Sequence, residues 1–186
     1  RLEARTALLA DSLTQANQEL THLALHDTLT GLPNRTLLAD RIQQAIQAVN
    51  EQGGCFALMF IDLDGFKPVN DAFGHHMGDQ LLREVGLRLR EDLRSQDTLA
   101  RIGGDEFVLL VQLTQTDDAM GLAERQVGLI NRSFTVAEHE LKISASIGIA
   151  VFPGNGGNPQ ELLMNADAAM YHAKGGGKNG YSFFDA

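Results

Sequence analysis

Hydrophobic residues in this chain recur with two periods, and the switches between them mark its elements. Leu2, Leu9, Leu13, Ala16, Leu20 and Leu23 follow one another at intervals of 7, 4, 3, 4 and 3, with no Gly or Pro in residues 1–24. Such an a/d seam over about three heptads predicts one strand of a parallel two-stranded connector. The plainer alternative is a single amphipathic helix packed on its own domain. Helical spacing returns over 37–49 at Leu38, Ile42, Ala45, Ile46 and Val49, with Asn34 placed to cap it and Gly53-Gly54 to end it. A clear amphipathic helix follows over 80–93, with Leu81, Leu82, Val85, Leu89 and Leu93 on one side. Two more are expected: 116–132, with Thr116 as its cap, and 159–174, with Pro159 in its first turn and Gly175 at its end. Met164, Met170 and Tyr171 on the last one read as core.

Between the helices the period changes. Residues 56–61 form a continuous apolar run, the mark of a strand buried on both faces. Thr98-Leu99-Ala100 and 107–113 flank Gly103-Gly104, which reads as a tight hairpin turn with Asp105 and Glu106 directly after it. Residues 141–152 read as another core strand, 153–158 as a glycine-rich loop and 181–184 as a last strand. In 26–35, Gly31 and Pro33 interrupt the first helix, while Asp27 and Thr30 can bond local backbone.

The polar residues that break this pattern carry the candidate chemistry. Glycines 103 and 104 let a backbone approach a planar or phosphorylated ligand, and two carboxylates at a sheet rim suit a hard cation such as Mg²⁺. An ordinary turn with solvated acids would look the same. Asp62 and Asp64, with Lys67 just beyond, end the buried 56–61 run, where unpartnered charge is costly. Asp62 is a candidate metal ligand, and the backbone N–H groups of Gly65, Phe66 and Lys67 a candidate phosphate cradle. The alternative is a polar loop in which Asp64 caps a turn. Asp62-Leu63-Asp64-Gly65 is not an EF-hand, because its glycine falls fourth instead of sixth and no glutamate stands twelfth.

Residues 70–79 read as a polar loop. Asn70 offers a donor and an acceptor, and Asp79 accepts from two N–H groups, so together they can read a guanine edge; both types also cap helices. His75 and His76 are adjacent, which does not suit a helical zinc pair. Arg94 and Asp97 can bind a phosphate and a guanine, or simply each other. Gly175 to Gly180 matches G-x-G-x-x-G but follows a helix and precedes a strand, the reverse of the dinucleotide-binding order. Lys174 and Lys178 flank that loop and can reach phosphates or offset the helix dipole.

Composition narrows the classes. With 186 residues, 44% hydrophobic and 21% charged, one folded domain plus an extra helix is expected. A net charge of −9 argues against a nucleic-acid partner, though not against a nucleotide whose charge is met by Mg²⁺ and a few lysines. Cys55 is the only cysteine, so no internal disulfide forms. Neither a signal peptide nor a membrane span is evident. The chain opens at Arg1 inside a helical pattern. It is therefore expected to be a cytoplasmic fragment of a longer, membrane-anchored or soluble parent, with an upstream sensory domain and room for a downstream one.

Taken together the motifs resemble the GGDEF family of diguanylate cyclases. They are Asp27-x-Leu29-Thr30-x-Leu32-x-Asn34-Arg35, Asp62-x-Asp64-x-Phe66-Lys67-x-x-Asn70-Asp71, Gly74-His75-x-x-Gly78-Asp79, Arg94-x-x-Asp97, Gly103-Gly104-Asp105-Glu106-Phe107 and Met170-Tyr171-x-Ala173-Lys174. The resemblance runs from about Leu23 to Phe184. It implies an α/β (α+β) palm-like fold, a mostly antiparallel sheet wrapped by helices and related to class III nucleotide cyclases, spanning 25–186 after a signalling helix at 1–24. It also implies that two GTP condense to cyclic di-GMP in a homodimeric encounter. Asp62, Asp105 and the Leu63 carbonyl would hold Mg²⁺, with Mn²⁺ as the alternative. Asp105 and Glu106 would serve catalysis, and Gly103 and Gly104 would admit the substrate. Asn70 and Asp79 would read guanine, while Gly65, Phe66, Lys67, Lys174 and Lys178 would bind phosphates. Arg94 and Asp97 would form a product-inhibition site. Lys178 stands where the family more often has arginine, which keeps the charge and loses the planar fork. A non-catalytic module binding GTP or cyclic di-GMP is the competing class, but such modules usually lose a signature acid or glycine and this chain keeps them all.

Overall fold

The computed structural model describes residues 1–185. Its elements run in the order α1 Leu2–Leu25, α2 Arg35–Gln52, β1 Cys55–Asp64, α3 Phe66–Phe73, α4 His75–Glu91, β2 Thr98–Gly103, β3 Glu106–Leu113, α5 Asp118–Asn131, β4 Phe134–Val136, β5 His139–Leu141, β6 Ser144–Phe152, α6 Pro159–Gly175 and β7 Gly180–Phe183. The last residue of the expected domain 25–186 lies outside the described residues. β1 sits at the centre, antiparallel to β3 on one side and to β6 on the other. β2 pairs antiparallel outside β3 and β7 pairs parallel outside β6, giving the order β2-β3-β1-β6-β7. This is the mostly antiparallel sheet that the motifs implied.

The pleat explains why the β1 run is continuously apolar. Side chains alternate between faces along a strand. Phe56, Leu58 and Phe60 join Val108, Leu110, Ala150 and Phe152 beneath α2 and α6. Ala57, Met59, Ile61 and Leu63 point the other way, among side chains of α4 and α5 such as Leu81, Val85, Leu89 and Ile130. Both faces are covered, so both parities must be apolar until the strand ends. α6 comes unusually close to the sheet at Gly148, where a Cβ would collide with the backbone of Ala166 and Met170.

Several expectations change. Residues 70–79 are not a loop: Asn70 lies on α3, Asp79 on α4, and Gly74 alone, at φ 91, separates the two helices. Phe66 and Val69 of α3 and Leu81 and Leu82 of α4 are buried together, which holds this polar stretch helical. The hairpin turn falls one residue later than the two glycines suggest. Gly103 ends β2 after a bulge, Gly104 and Asp105 make the turn, and Glu106 already belongs to β3. α5 starts at Asp118 without a side-chain cap, so Thr116 does not have that role. The strand expected over 141–152 is broken: Leu141 belongs to the β4–β5 ribbon and β6 begins at Ser144. Of the three α6 residues expected in the core, only Met170 is there, since Met164 and Tyr171 are largely exposed. No residue of α1 is buried, so it does not lie on its own domain as a packed amphipathic helix.

Candidate active site

The pleat that sorts the core also assembles the site. Asp62 and Asp64 have the parity of Phe56, Leu58 and Phe60, so they face α6. Glu106 opposes Asp62 from β3, and Ser146 and Ser144 oppose Asp62 and Asp64 from β6. The close approach of α6 at Gly148 then lowers Lys174, one turn beyond Met170, onto these carboxylates. Its Nζ lies 3.5 Å from Asp62 Oδ2 and 3.2 Å from Asp64 Oδ1. The hairpin turn closes the cluster, with the Leu63 N–H donating to the Asp105 carbonyl at 3.3 Å.

The electrostatics show an excess of negative charge. Burial, then the charge of Asp105, pushes the Asp62 carboxyl up to about 6; Lys174 pulls it down and Glu106 adds to the rise. Glu106 is also raised, by burial first, then by Asp167 on α6 and by Asp105, with Arg35 and Lys174 opposing. Asp64 goes the other way. Burial alone would raise it, but the Asn179 N–H, the Ser146 and Ser144 hydroxyls and Lys174 together hold it below the usual carboxylate range. Acids that repel one another at a half-buried sheet end fit a divalent cation, which would relieve Asp62 directly. No group of three or more His, Cys, Asp or Glu side chains among the described residues is gathered into a complete metal cage. Mg²⁺ needs none, because it takes one or two carboxylates and fills its shell from substrate phosphates and water.

A second pocket edge lies between α3 and α4. Asn70 Oδ1 is buried and has no hydrogen-bond partner among the described residues. It points into the space where a Cβ on Gly78 would sit. The next residue, Asp79, is exposed at the same edge. An orphaned buried carbonyl is costly unless a ligand donates to it. At the start of α3, Gly65 takes a left-handed φ of 83 and no side chain caps the helix, so the first N–H groups of α3 are left for an anion. Phe66 is buried beneath that turn, and Lys67 stands exposed on it. Gly104, at φ 44, has nothing within 4 Å of a Cβ position, which leaves open space above the turn. Lys178, at φ 62, is exposed on the turn between α6 and β7.

Arg94 and Asp97 are not in this site. The Arg94 guanidinium bonds Asp97 Oδ2 at 3.2 Å, Asp97 Oδ1 at 3.3 Å and the Gln112 carbonyl at 2.6 Å. Gln112 pairs with Phe56, six residues before Asp62, so the two places are roughly 20 Å apart along the strands. Arg125 with its partner Asp92 lines the same open cavity of about 360 Å³.

Sequence reasoning missed Asp64 as a hub, Ser144, Ser146 and Asn179 as its donors, and Asp167 and Arg35 beside Glu106. It also missed a chain of bonds from α1 to the hairpin. Asn34 accepts from the Leu37 N–H and gives its own side-chain and backbone N–H to Ala24 and Leu25, tying α1 to α2. Asp27 pairs with Arg101 at 2.8 Å, and Arg101 in turn donates twice to the Gly104 carbonyl, at 2.8 and 3.0 Å. Strand parity could have found Ser144 and Ser146, which share the face of the β1 acids; the others come from helices, turns and β2, where it gives no signal.

Residues 24–180 match the family described as diguanylate cyclase, GGDEF domain. The chain belongs to that family. Over 186 residues it is 59% identical to the bifunctional diguanylate cyclase/cyclic di-GMP phosphodiesterase MucR of Pseudomonas aeruginosa, covering 100% of this chain and 27% of MucR. It therefore spans about a quarter of that relative's length. The crystal structure of the GGDEF domain of TpbB (YfiN) from P. aeruginosa is similar with a TM-score of 0.82 at 35% identity, covering 84% of this chain and 99% of that one. The coiled coil and GGDEF domain of DgcB from Caulobacter crescentus, in complex with c-di-GMP, gives 0.87 at 27% identity over 98% of both chains.

Proposed function

We propose that this domain condenses two GTP into cyclic di-GMP. Each of two facing domains holds one GTP; each 3′-hydroxyl attacks the other's α-phosphorus, and the bond to the β,γ-pyrophosphate breaks, releasing two pyrophosphates. The observation that carries this reading is the excess of negative charge that Asp105 and Glu106 impose on Asp62 beside the signature turn, which Lys174 and Arg35 offset only in part. Asp62, Asp105 and the Leu63 carbonyl would hold Mg²⁺, or Mn²⁺ in its place. The bound ion would lower the pKa of the attacking hydroxyl and neutralise the leaving pyrophosphate. Glu106, its carboxyl raised by burial and then by Asp167 and Asp105, is the group suited to take the 3′-hydroxyl proton. The free N–H groups at the start of α3, with Lys67, bind phosphate, as do Lys174 and Lys178. Asn70 Oδ1 accepts from the guanine amino edge and Asp79 from the remaining N–H groups, so adenine leaves them unpaired.

α1 supports a parallel coiled coil that brings two domains face to face. Its seam leucines 2, 9, 13, 20 and 23 are all exposed, and DgcB, which matches over α1 as well, is described as a coiled coil with a GGDEF domain. Domains upstream and downstream in the parent protein would supply the signal. Product would bind at Arg94 and Asp97 by drawing the arginine fork off its own aspartate. Such a site, far from the substrate, inhibits without competing with GTP. The deciding experiment incubates the purified chain with GTP and Mg²⁺ and resolves products by chromatography. Wild type makes cyclic di-GMP, whereas Asp62→Ala and Asp105→Ala make none while keeping the native circular dichroism. Wild-type turnover in either variant would refute the assignment.

A further inference from the structure

Asp64 has no part in the proposed condensation, yet it is the most heavily bonded carboxylate among the described residues. It is 6% exposed and takes hydrogen bonds from Ser144 Oγ at 2.9 Å, Ser146 Oγ at 2.8 Å, Lys174 Nζ at 3.2 Å and the Asn179 N–H at 3.1 Å. A buried charge is expensive to keep, and an apolar side chain would close a strand end more cheaply. The donors explain what the charge is for. The two serines come from β6 and aim the carboxylate at α6. The other two belong to the phosphate side of the site: Lys174 itself, and the turn that presents Lys178. Lys178 and Asn179 both take left-handed backbone, at φ 62 and 48, a conformation side-chain-bearing residues seldom hold unaided. The turn is pinned on one side by the Asn179 N–H on Asp64, on the other by Asn131 Nδ2 donating to Asn179 Oδ1 at 2.8 Å.

We propose that Asp64 is the positioning residue for the triphosphate end of the substrate: one buried carboxylate sets both the Lys174 ammonium and the turn carrying Lys178, and so governs β,γ-phosphate affinity without touching the base. This rests on the GTP reading. Asp64 lies on the α6 face of the sheet, whereas Asn70 and Asp79 lie on α3 and α4, so the two ends of the nucleotide are recognised by separately held groups.

The test measures equilibrium binding, with Mg²⁺, of three probes to the full chain: α,β-methylene GTP, its adenine counterpart and GMP. In Asp64→Asn the carboxylate charge is lost while the shape stays. Affinity for the guanine triphosphate analogue should fall about tenfold, the scale of one charge-assisted hydrogen bond. GMP affinity should stay within about twofold and the guanine-over-adenine ratio should not move. Ser144→Ala, which leaves the carboxylate and three of its donors, should shift the same ratio of triphosphate to GMP by about two- to threefold. It decides the matter if Asp64→Asn does not fold. A parallel fall in triphosphate and GMP affinity would show a merely structural role, and an unchanged ratio would overturn the proposal. A wild type with no preference for the guanine triphosphate would instead overturn the GTP reading, and this inference with it. A wild type that keeps the preference confines any failure to Asp64.

Discussion

Asp62 and Asp64 are two residues apart on one strand face and titrate in opposite directions. Asp64 is surrounded by donors, so its folded pKa is depressed; the stability it contributes is present above the ordinary value of 3.8 and is lost as pH falls through its folded pKa. Asp62 is partly buried and faces other acids, so its folded pKa is raised from 3.8 to about 6; its contribution is present below 3.8 and is lost as pH rises through 6. The proposed divalent cation would bind only the ionised form of Asp62 and would have to displace its proton at low pH. Mg²⁺ should therefore raise the melting temperature clearly at about pH 7 and little at about pH 5. Melting curves with and without Mg²⁺ at the two pH values check this. Asp62→Asn should abolish the difference, and an equal Mg²⁺ shift at both pH values would show that Asp62 is not the ligand.

At the scale of elements, the site depends on how close α6 lies to β6. Gly148→Ala places a methyl group against the backbone of Ala166 and Met170, which cannot rotate away as a side chain would. The helix must lift, and the cost should be about 3 kcal/mol, the upper end for overpacking a core. Because Lys174 rides on the same helix, GTP turnover should fall along with the midpoint of urea unfolding. A variant with unchanged midpoint would show that α6 is free to shift. This contact was not legible in the sequence, where Gly148 is one glycine among the apolar residues of a strand. What was legible depended on periodicity. α2 and α4 appear where 3.6-residue spacing is strong, β1 where an apolar run is continuous, and α6 where Pro159 and Gly175 mark its ends. α3 and the first turn of α4 were hidden because Asn70, Asp71, His75 and His76 are polar and Gly74 falls between them. The β4–β5 ribbon was hidden because its turn, Ala137-Glu138 at φ 47 and 68, uses residues that rarely take left-handed backbone. The site acids were found as a motif, but their partners required the pleat: Asp62, Glu106 and Ser146 share a face, and that follows from counting residues by two.

For the whole molecule, the proposed pairing through the exposed seam of α1 would make activity a property of pairs. Removing residues 1–20 should leave the folded domain intact and lower activity per mole most at low concentration, because the coiled coil supplies the effective concentration of the second domain. Equal specific activity with and without the helix across a dilution series would refute the connector. The proposed feedback belongs to this scale too. Arg94→Ala should relieve inhibition by added cyclic di-GMP with little change in initial rate, and progress curves with equal inhibition in both proteins would reduce Arg94 and Asp97 to a surface ion pair. The bonds from Asn34 and Asp27 through Arg101 to the Gly104 carbonyl have a mechanical consequence. α1, with 24 residues, is about 36 Å long, and Asp27, two residues beyond its C-terminal end, is paired with Arg101. Were α1 to turn about that end, a swing of several ångströms at its far end would arrive at the signature turn as a shift of well under one, paired with a proportionally larger force. Shifts that small are enough to align or misalign reacting groups, so a coarse movement upstream can set the fine adjustment at the turn.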